Sequence, residues 1–181
     1  TSLVTGRILD HVAATEGGAF VLFTSFGQLN RVADELEGPL AELGYPMLVH
    51  GRHGSRSEIL EAFKHAHNAV LLGTASFWQG VDVKGNALRC VIIAKLPFDP
   101  PGRAIVEART EHIEARGGNA FREDAIPRAI IRFKQGFGRL IRSQTDSGRV
   151  VILDPRTLTK PYGKLFLRAL PKDLEPKILT D

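Results

Sequence analysis

The sequence predicts an α/β fold with a mostly parallel sheet of at least five strands and helices on both faces. Two observations support this prediction. The first is a set of short, continuously apolar runs, such as residues 19–24 (Ala-Phe-Val-Leu-Phe-Thr) and 69–73 (Ala-Val-Leu-Leu-Gly), which are typical of strands buried on both faces. The second is the helical segments of about ten residues or more that separate most of these runs, because strands alternating with helices form right-handed βαβ units.

The individual elements follow from apolar spacing and from capping residues. Strands are predicted at residues 19–24, 47–49, 69–73, 88–96 and 149–153. Helices are predicted at residues 4–14, 27–43, 56–65, 103–116, 127–142 and 162–169. Ser25 and Ser55 are predicted N-caps. Within the second helix, Gly38-Pro39 predicts a kink or an early stop, because proline lacks the N–H that a helix interior needs.

Length and composition restrict the function classes. With 181 residues, the chain can form one domain with a substantial core, predicted to be residues 1–170, and residues 171–181, with two prolines, are predicted to fray. No apolar run approaches the 18 residues that a membrane span needs, and no signal-peptide pattern is present, so we expect a cytoplasmic protein without membrane partners. The single cysteine, Cys90, excludes an internal disulfide and a cysteine-only metal cluster in this chain. A net charge of +4 is compatible with a polyanionic partner.

The basic segment at residues 134–142 (Lys-Gln-Gly-Phe-Gly-Arg-Leu-Ile-Arg) carries the clearest chemical signal. Gln135, Arg139 and Arg142 stand at i, i+4 and i+7, so on a helix they would share one face. One amide and two guanidiniums suit a multi-oxygen anion such as a phosphate. A solvated basic helix face is the alternative, and this segment alone does not decide between them.

A second informative segment, residues 74–82 (Thr-Ala-Ser-Phe-Trp-Gln-Gly-Val-Asp), follows a predicted buried strand. Gly80 permits a tight turn, and Asp82 can accept hydrogen bonds from a sugar hydroxyl. Trp78 could stack on a base, although an aromatic residue beside a sheet is more often a core residue.

Polar residues after two other strands suggest contacts to a polynucleotide backbone. Thr24 and Ser25 could donate hydrogen bonds to a phosphate, and Ser25 could at the same time cap the following helix. Arg52 and Arg56 predict a basic patch facing phosphates. The nearby histidines do not predict a metal site, because acidic or cysteine partners at ligand spacing are absent.

The sequence lacks the glycine-rich phosphate loop Gly-x-x-x-x-Gly-Lys-Ser/Thr and the dinucleotide fingerprint Gly-x-Gly-x-x-Gly. An arginine face in this chain would therefore have to complete a nucleotide site that is built elsewhere. Because the chain begins with Thr1 rather than methionine, we expect a piece of a longer protein.

Taken together, these segments resemble a known family. Residues 21–26 (Val-Leu-Phe-Thr-Ser-Phe), 74–82 and 135–142 resemble motifs IV, V and VI of superfamily-two helicases of the DinG/XPD-like group. Residues 92–98 and 154–156 are also similar to this group, and to its bacterial DinG/YoaA branch in particular. The resemblance covers about residues 18–170. Gln79 stands where many relatives have glutamate. The resemblance therefore does not imply a charge-dependent contact at this position.

The resemblance implies the second RecA-like domain, also called the C-terminal helicase domain, with a three-layer fold. It implies that ATP and Mg²⁺ are bound mainly by a first RecA-like domain of the same polypeptide, which would also hold any iron–sulfur cluster. It further implies single-stranded DNA as a partner and translocation from 5′ to 3′.

Site residues are carried over by position. The residues implied to contact ATP are Gly80, Asp82, Gln135, Arg139 and Arg142. Of these, Gln135, Arg139 and Arg142 are the implied catalytic group, with Arg142 as the arginine finger. The residues expected to bind the DNA strand are Thr24, Ser25, Arg52, Thr74, Ser76 and Trp78.

The leading hypothesis is thus the C-terminal motor domain of an ATP-dependent DNA helicase, inactive as an ATPase alone. The alternative is a stand-alone, non-catalytic nucleic-acid-binding module. A small-molecule enzyme on a doubly wound fold is the weakest interpretation, because no cofactor fingerprint or catalytic pair is evident.

Overall fold

A computed structural model describes residues 2–79, 83, 87–138, 148–171 and 176–179, and these contain one five-stranded sheet. Its strands are β1 (Ala19–Leu22), β2 (Met47–Val49), β3 (Val70–Gly73), β4 (Cys90–Ile93) and β5 (Arg149–Ile152). The strand order is β2-β3-β1-β4-β5, and every neighbouring pair is parallel. All five carboxyl ends therefore lie at the same edge of the sheet.

The helices account for most of the remaining described residues. They are α1 (Ser2–Ala14), α2 (Phe26–Glu42), α3 (Arg56–His65), α4 (Ala104–Ala115), α5 (Ile126–Phe137), α6 (Arg156–Thr159) and α7 (Gly163–Arg168). A short 3₁₀ turn at Ala75–Phe77 and a π-helical turn at Phe121–Ala125 complete the described elements. The predicted α/β class is confirmed, whereas α6 and the π-helical turn were not predicted.

The sheet separates two apolar cores, which gives the fold its three layers. In β1, Phe20 and Leu22 point into the core formed with α3, α5 and α7, while Ala19, Val21 and Phe23 point into the core formed with α1 and α2. This alternation follows from the two-residue period of a strand. Both sets are almost completely buried, as the continuously apolar runs in the sequence predict.

Helix α2 bears on two predictions: of the kink or early stop predicted at Gly38-Pro39 the early stop is contradicted, and the N-cap at Ser25 is confirmed. The helix does not stop at Gly38-Pro39, but continues through Pro39 to Glu42. Leu36 and Leu40, which flank the proline, are completely buried, and this packing compensates for the hydrogen bond that proline cannot make. Ser25 caps α2 as predicted, since its Oγ accepts a hydrogen bond from the backbone N–H of Gln28 at 3.3 Å.

A buried carboxylate joins the chain segments that follow β4 and β5. Asp154 is only 4% exposed. Its Oδ2 accepts a hydrogen bond from the backbone N–H of Leu96 at 2.8 Å, and its two oxygens accept from the guanidinium of Arg156 at 2.5–3.0 Å. Burial acts to raise the pKa of Asp154, but these hydrogen bonds outweigh it and hold the pKa below its ordinary value.

We expect Asp154→Asn to lower the free energy of unfolding by about 1.5–3 kcal/mol at neutral pH, because hydrogen bonds to a charged acceptor are lost. The pKa of Asp154 is lower in the folded state, so its stabilising effect is present above the unfolded-state pKa of about 3.9 and is lost as the pH falls through the folded-state value. Urea unfolding at several pH values should therefore show the difference between wild type and variant shrinking in acid.

Asp34→Asn provides the control, because the Asp34 side chain is 65% exposed and its ion pair with Arg52 lies at the surface. This variant should unfold close to wild type. A difference between wild type and Asp154→Asn that stays constant down to pH 2 would contradict the assigned role of the ionised carboxylate.

Candidate functional site

The carboxyl edge of the sheet brings together the loops after β1, β2 and β3, because these strands are neighbours in the order β2-β3-β1. The sequence analysis predicted nucleic-acid contacts in all three loops. Thr24 is half-buried, while Ser25 and Ser76 are exposed. Ser25 caps α2 through its hydroxyl oxygen, which leaves the hydroxyl hydrogen for donation to an anion.

Thr74 differs from these three residues, because it is only 5% exposed. Its Oγ1 lies 2.8 Å from Nδ1 of His50. Burial and the neighbouring charge of Arg56 lower the pKa of His50, so the ring is neutral at pH 7. Thr74 therefore holds the loop after β3 against the loop after β2, and its hydroxyl is not presented to solvent as a phosphate donor.

Arg52 is occupied by contacts with α2. Its Nη1 lies 2.7 Å from Oδ1 of Asp34, its Nε donates to Oδ1 of Asn30 at 3.0 Å, and its Nη2 donates to the carbonyl oxygen of Asn30 at 3.1 Å. Asn30 and Asp34 are one turn apart on α2, beyond its first turn. The guanidinium thus lies along the helix and fastens the loop after β2 to it.

Arg56, for which the sequence predicts a place in a basic patch, contacts the loop after β3. Its Nε donates to the carbonyl oxygen of Ser76 at 3.2 Å, its Nη2 donates to that of Gln79 at 2.8 Å, and its guanidinium carbon lies 5.7 Å from the centre of the Phe77 ring. The guanidinium therefore supports the loop after β3. Both side chains bind groups within the chain, and the predicted patch of Arg52 and Arg56 facing phosphates stays a prediction.

Trp78 lies in the core rather than at the surface. The side chain is 2% exposed, and its Nε1 donates to the carbonyl oxygen of Phe23 at 3.2 Å. The ring lies so close to α5 that a Cβ built on Gly136 would stand 2.8 Å from one of its carbons. Neither face is open to a base, so the stacking role expected for Trp78 is not retained. The indole instead joins β1, the loop after β3 and α5.

Helix α5 presents the described part of the predicted anion-binding face. Gln135 is half-buried on this helix. Arg128 and Arg132, on the preceding turns of the same face, approach Asp99: Nη2 of Arg132 lies 2.7 Å and Nε of Arg128 lies 3.5 Å from its carboxylate. Nη1 of Arg132 also donates to the carbonyl oxygen of Pro97 at 3.3 Å. These contacts fix α5 against the loop that follows β4.

The Asp99 side chain is 10% exposed, and its ionisation reflects these arginines. Burial acts to raise the pKa of Asp99, whereas the hydrogen bonds and charges of Arg132 and Arg128 lower it more, so its pKa lies below the ordinary value. Asp99 is thus a carboxylate at neutral pH and neutralises part of the arginine face.

Four predicted nucleotide contacts, Gly80, Asp82, Arg139 and Arg142, lie outside the described residues. Helix α5 is described as far as Phe137, with Gly138 as its C-cap, and the predicted continuation to residue 142 lies outside the described residues. Of the five predicted nucleotide contacts, Gln135 is therefore the one whose position the structure describes. The shared face of Gln135, Arg139 and Arg142 stays a prediction.

The donor set does not fit a cation. Among the described residues, no group of three or more His, Cys, Asp or Glu side chains is placed to hold a metal ion. Burial raises the pKa of the Cys90 thiol to about 12, so this cysteine is a neutral core residue. The amide and arginines of the predicted face suit phosphate oxygens rather than a cation. In the described part of the chain, no helix is both long and apolar enough to cross a membrane.

Comparison with known proteins identifies clear relatives. The family described as "Helicase C-terminal domain" matches residues 8–173. The ATP-dependent DNA helicase YoaA of Escherichia coli is 42% identical over 160 residues, which cover 88% of this chain and 24% of that protein. The 3'-5' exonuclease DinG of Bacillus subtilis is 42% identical over 152 residues, which cover 83% of this chain and 16% of that protein. The chain thus spans a quarter or less of the length of these two relatives.

A solved structure of XPD (XPD_APO) has the same fold. It superposes with a TM-score of 0.66 over 91% of this chain and 33% of the solved chain, at 20% sequence identity. At this identity the likeness concerns the fold alone, and it confirms the RecA-like arrangement that the family resemblance implied.

The contact between Trp78 and Gly136 leads to a stability prediction. A methyl group at position 136 would stand 2.8 and 2.9 Å from two carbons of the indole and 3.3 Å from a methyl of Leu22, so Gly136→Ala should lower the free energy of unfolding by about 1–3 kcal/mol. Gly6→Ala is the matched control, because Gly6 also lies inside a helix, α1, and a Cβ there meets nothing within 4 Å.

The control should raise the stability by up to about 1 kcal/mol, since alanine is the better helix former. Chemical denaturation followed by circular dichroism and by Trp78 fluorescence measures both effects. If Gly136→Ala were as stable as Gly6→Ala, the close packing of Trp78 against α5 would be contradicted.

Proposed function

The chain belongs to the family of helicase C-terminal domains, in the DinG/XPD-like group, and we propose that it is the second motor domain of an ATP-dependent DNA helicase. In this proposal, a first RecA-like domain of the same polypeptide binds most of ATP and its Mg²⁺. The present chain closes the nucleotide site from the opposite side and supplies part of the track for single-stranded DNA. By family resemblance, the proposed direction of translocation is 5′ to 3′.

The Trp78 contact is the observation that best supports this function. The indole belongs to the loop after β3, bonds to the end of β1 and packs against α5. The first two elements carry the proposed DNA contacts, and α5 leads into the proposed nucleotide contacts. One buried side chain therefore connects the segments that carry the proposed DNA contacts with the helix that leads to the proposed nucleotide contacts. A stand-alone DNA-binding module would not require this connection.

The nucleotide contacts are assigned from the family resemblance. The Gln135 amide, with Arg139 and Arg142 further along the chain, would contact the γ-phosphate, and Arg142 would act as the arginine finger. Gly80 and Asp82 would contact the ribose or relay the nucleotide state to the DNA track. Arginine fingers stabilise the charge on the transferred phosphoryl group and accelerate hydrolysis by roughly 10³–10⁵ in other NTPases.

The DNA contacts are assigned to the exposed edge of the sheet. Thr24, Ser25 and Ser76 present hydroxyl or backbone groups there and would bind the phosphates of the strand. Thr74, Arg52 and Arg56 would act through the loops that they hold rather than through direct contact. Such contacts to the backbone read no sequence, as a motor that moves along DNA requires.

We expect the 181-residue chain alone to show no DNA-stimulated ATP hydrolysis, because the sequence contains no phosphate loop. Release of phosphate with and without oligo-dT measures this. Addition of the separately produced first motor domain should restore activity if the two associate. Clear turnover by the chain alone would refute the proposed division of the site.

In a protein that carries both motor domains, Arg142→Ala should reduce ATP hydrolysis by at least about 10³-fold, because the charge that stabilises the transition state is lost. Binding of single-stranded DNA should stay within about twofold of wild type, since no backbone contact is removed. Arg31→Ala, which removes an exposed arginine of α2, is the control and should leave both properties unchanged. Equal loss of hydrolysis and DNA binding would instead make Arg142 a DNA ligand or a structural residue.

A further inference from the structure

We propose that Phe26 is the aromatic platform on which a base of the bound strand stacks. This inference rests on the proposed function and adds a contact to its DNA track. Phe26 is the first residue of α2 and directly follows Thr24 and Ser25 in the chain. Its side chain is 49% exposed, so part of the ring is accessible to a ligand.

The ring of Phe26 has two neighbours in the loop after β2. Its centre lies 5.0 Å from the centre of the His50 ring, at an interplanar angle of 45°. A Cβ built on Gly51 would stand 3.3 Å from Cε1 of the phenyl ring. Gly51 has a φ of 84°, a conformation that also favours glycine. The close approach of ring and backbone thus depends on residue 51 having no side chain.

Further rings support this arrangement from below. The His50 ring packs edge-on against Phe77, with ring centres 4.9 Å apart, and is fixed by its contact with Thr74. Phe77 is completely buried, His50 is half-buried, and Phe26 is half-exposed. The three rings form a series that runs from the core to the surface and ends at Phe26.

The loop under the platform is also fastened to α2. Phe26, Asn30 and Asp34 stand at i, i+4 and i+8 and so lie on one helix face. The loop after β2 runs along this face, with Gly51 close to the Phe26 ring and the guanidinium of Arg52 bound to Asn30 and Asp34. Arg52 is therefore a positioning residue for the platform. A ring fixed in this way loses little conformational freedom when a base stacks on it.

The location of Phe26 suits a base whose phosphate is bound next to it. Thr24 and Ser25, the proposed phosphate contacts, are its immediate neighbours in the chain, and nucleotides present a base and a phosphate a few ångströms apart. Stacking on an aromatic ring tolerates every base, which agrees with sequence-independent binding. Two other aromatic residues are less suitable for stacking on a base. Trp78, for which the sequence predicted this role, is buried, and the exposed Phe121 is already stacked on Phe98, with an interplanar angle of 17°.

The test compares Phe26 variants of the 181-residue chain for binding to two ligands of the same length, about 12 nucleotides. One is oligo-dT, and the other is an abasic oligomer of deoxyribose phosphate, which keeps the backbone and lacks the bases. Fluorescence anisotropy at low salt, where the phosphate contribution is largest, measures both affinities. Circular dichroism melting shows whether each variant is folded.

Phe26→Ala should weaken binding to oligo-dT by about tenfold and leave binding to the abasic oligomer unchanged, because stacking needs a base. Phe26→Leu keeps apolar bulk without an aromatic ring and should lose most of the same affinity, while Phe26→Trp should retain it. The salt dependence should stay the same in all variants, since Phe26 neutralises no phosphate. Leu43→Ala is the matched control: Leu43 is 52% exposed and caps the opposite end of α2.

The outcomes separate this inference from the proposed function. If oligo-dT binds but Phe26→Ala has no effect, or if the variant weakens both ligands equally, the stacking role is refuted and the DNA track stands. If folded wild-type chain binds neither ligand, the proposed track itself is refuted, and the platform with it.

Discussion

The contact between Trp78 and Gly136 is the interaction on which the arrangement of the candidate site depends. A tryptophan that is 2% exposed fills the space between the end of β1, the loop after β3 and α5, and this space exists only because residue 136 has no side chain. The single polar atom of the indole is satisfied by the carbonyl oxygen of Phe23. Burying the ring without that acceptor would be costly, so the hydrogen bond also fixes the orientation of the ring.

The arginines of this edge serve mainly as internal supports. Arg52 binds α2, Arg56 binds the carbonyl groups of the loop after β3, Arg132 binds Asp99, and Arg156 binds Asp154. Each guanidinium offers several donors in a fixed plane, which makes it suited to joining two chain segments that carry carbonyl or carboxylate oxygens. These four guanidiniums are therefore engaged within the chain rather than held free for an anion.

The sequence predicted what depends on local pattern and missed what depends on the order of the strands. The apolar runs located all five strands, and the serine caps located the starts of α2 and α3, because periodicity and capping involve residues close in the chain. The role of Arg56 requires the loop after β3 to lie beside α3, which no local pattern reveals. Trp78 was ambiguous for the same reason: whether an aromatic residue after a strand stacks on a ligand or packs on a helix depends on what lies over that strand end. The helix through Pro39 is a further case, since buried leucines on both sides outweighed a local stop signal.

The dense packing around Trp78 also constrains how the two halves of the proposed motor can move. The space between the indole and Gly136 is too small for a methyl group, and the indole donates a hydrogen bond to Phe23, next to β1, so the packing leaves little room for α5 to move towards the indole. A displacement of α5 by a fraction of an ångström must either move the indole, and with it the loop that carries Ser76, or break its hydrogen bond to Phe23. Asp99 restrains the same helix from the other end through Arg128 and Arg132. Under the proposed function, binding or hydrolysis of the nucleotide that displaces α5 would therefore also displace the indole and the loop that carries the proposed DNA contact Ser76. The half-exposed Phe26, which follows Phe23 by three residues, stands at the end of that path.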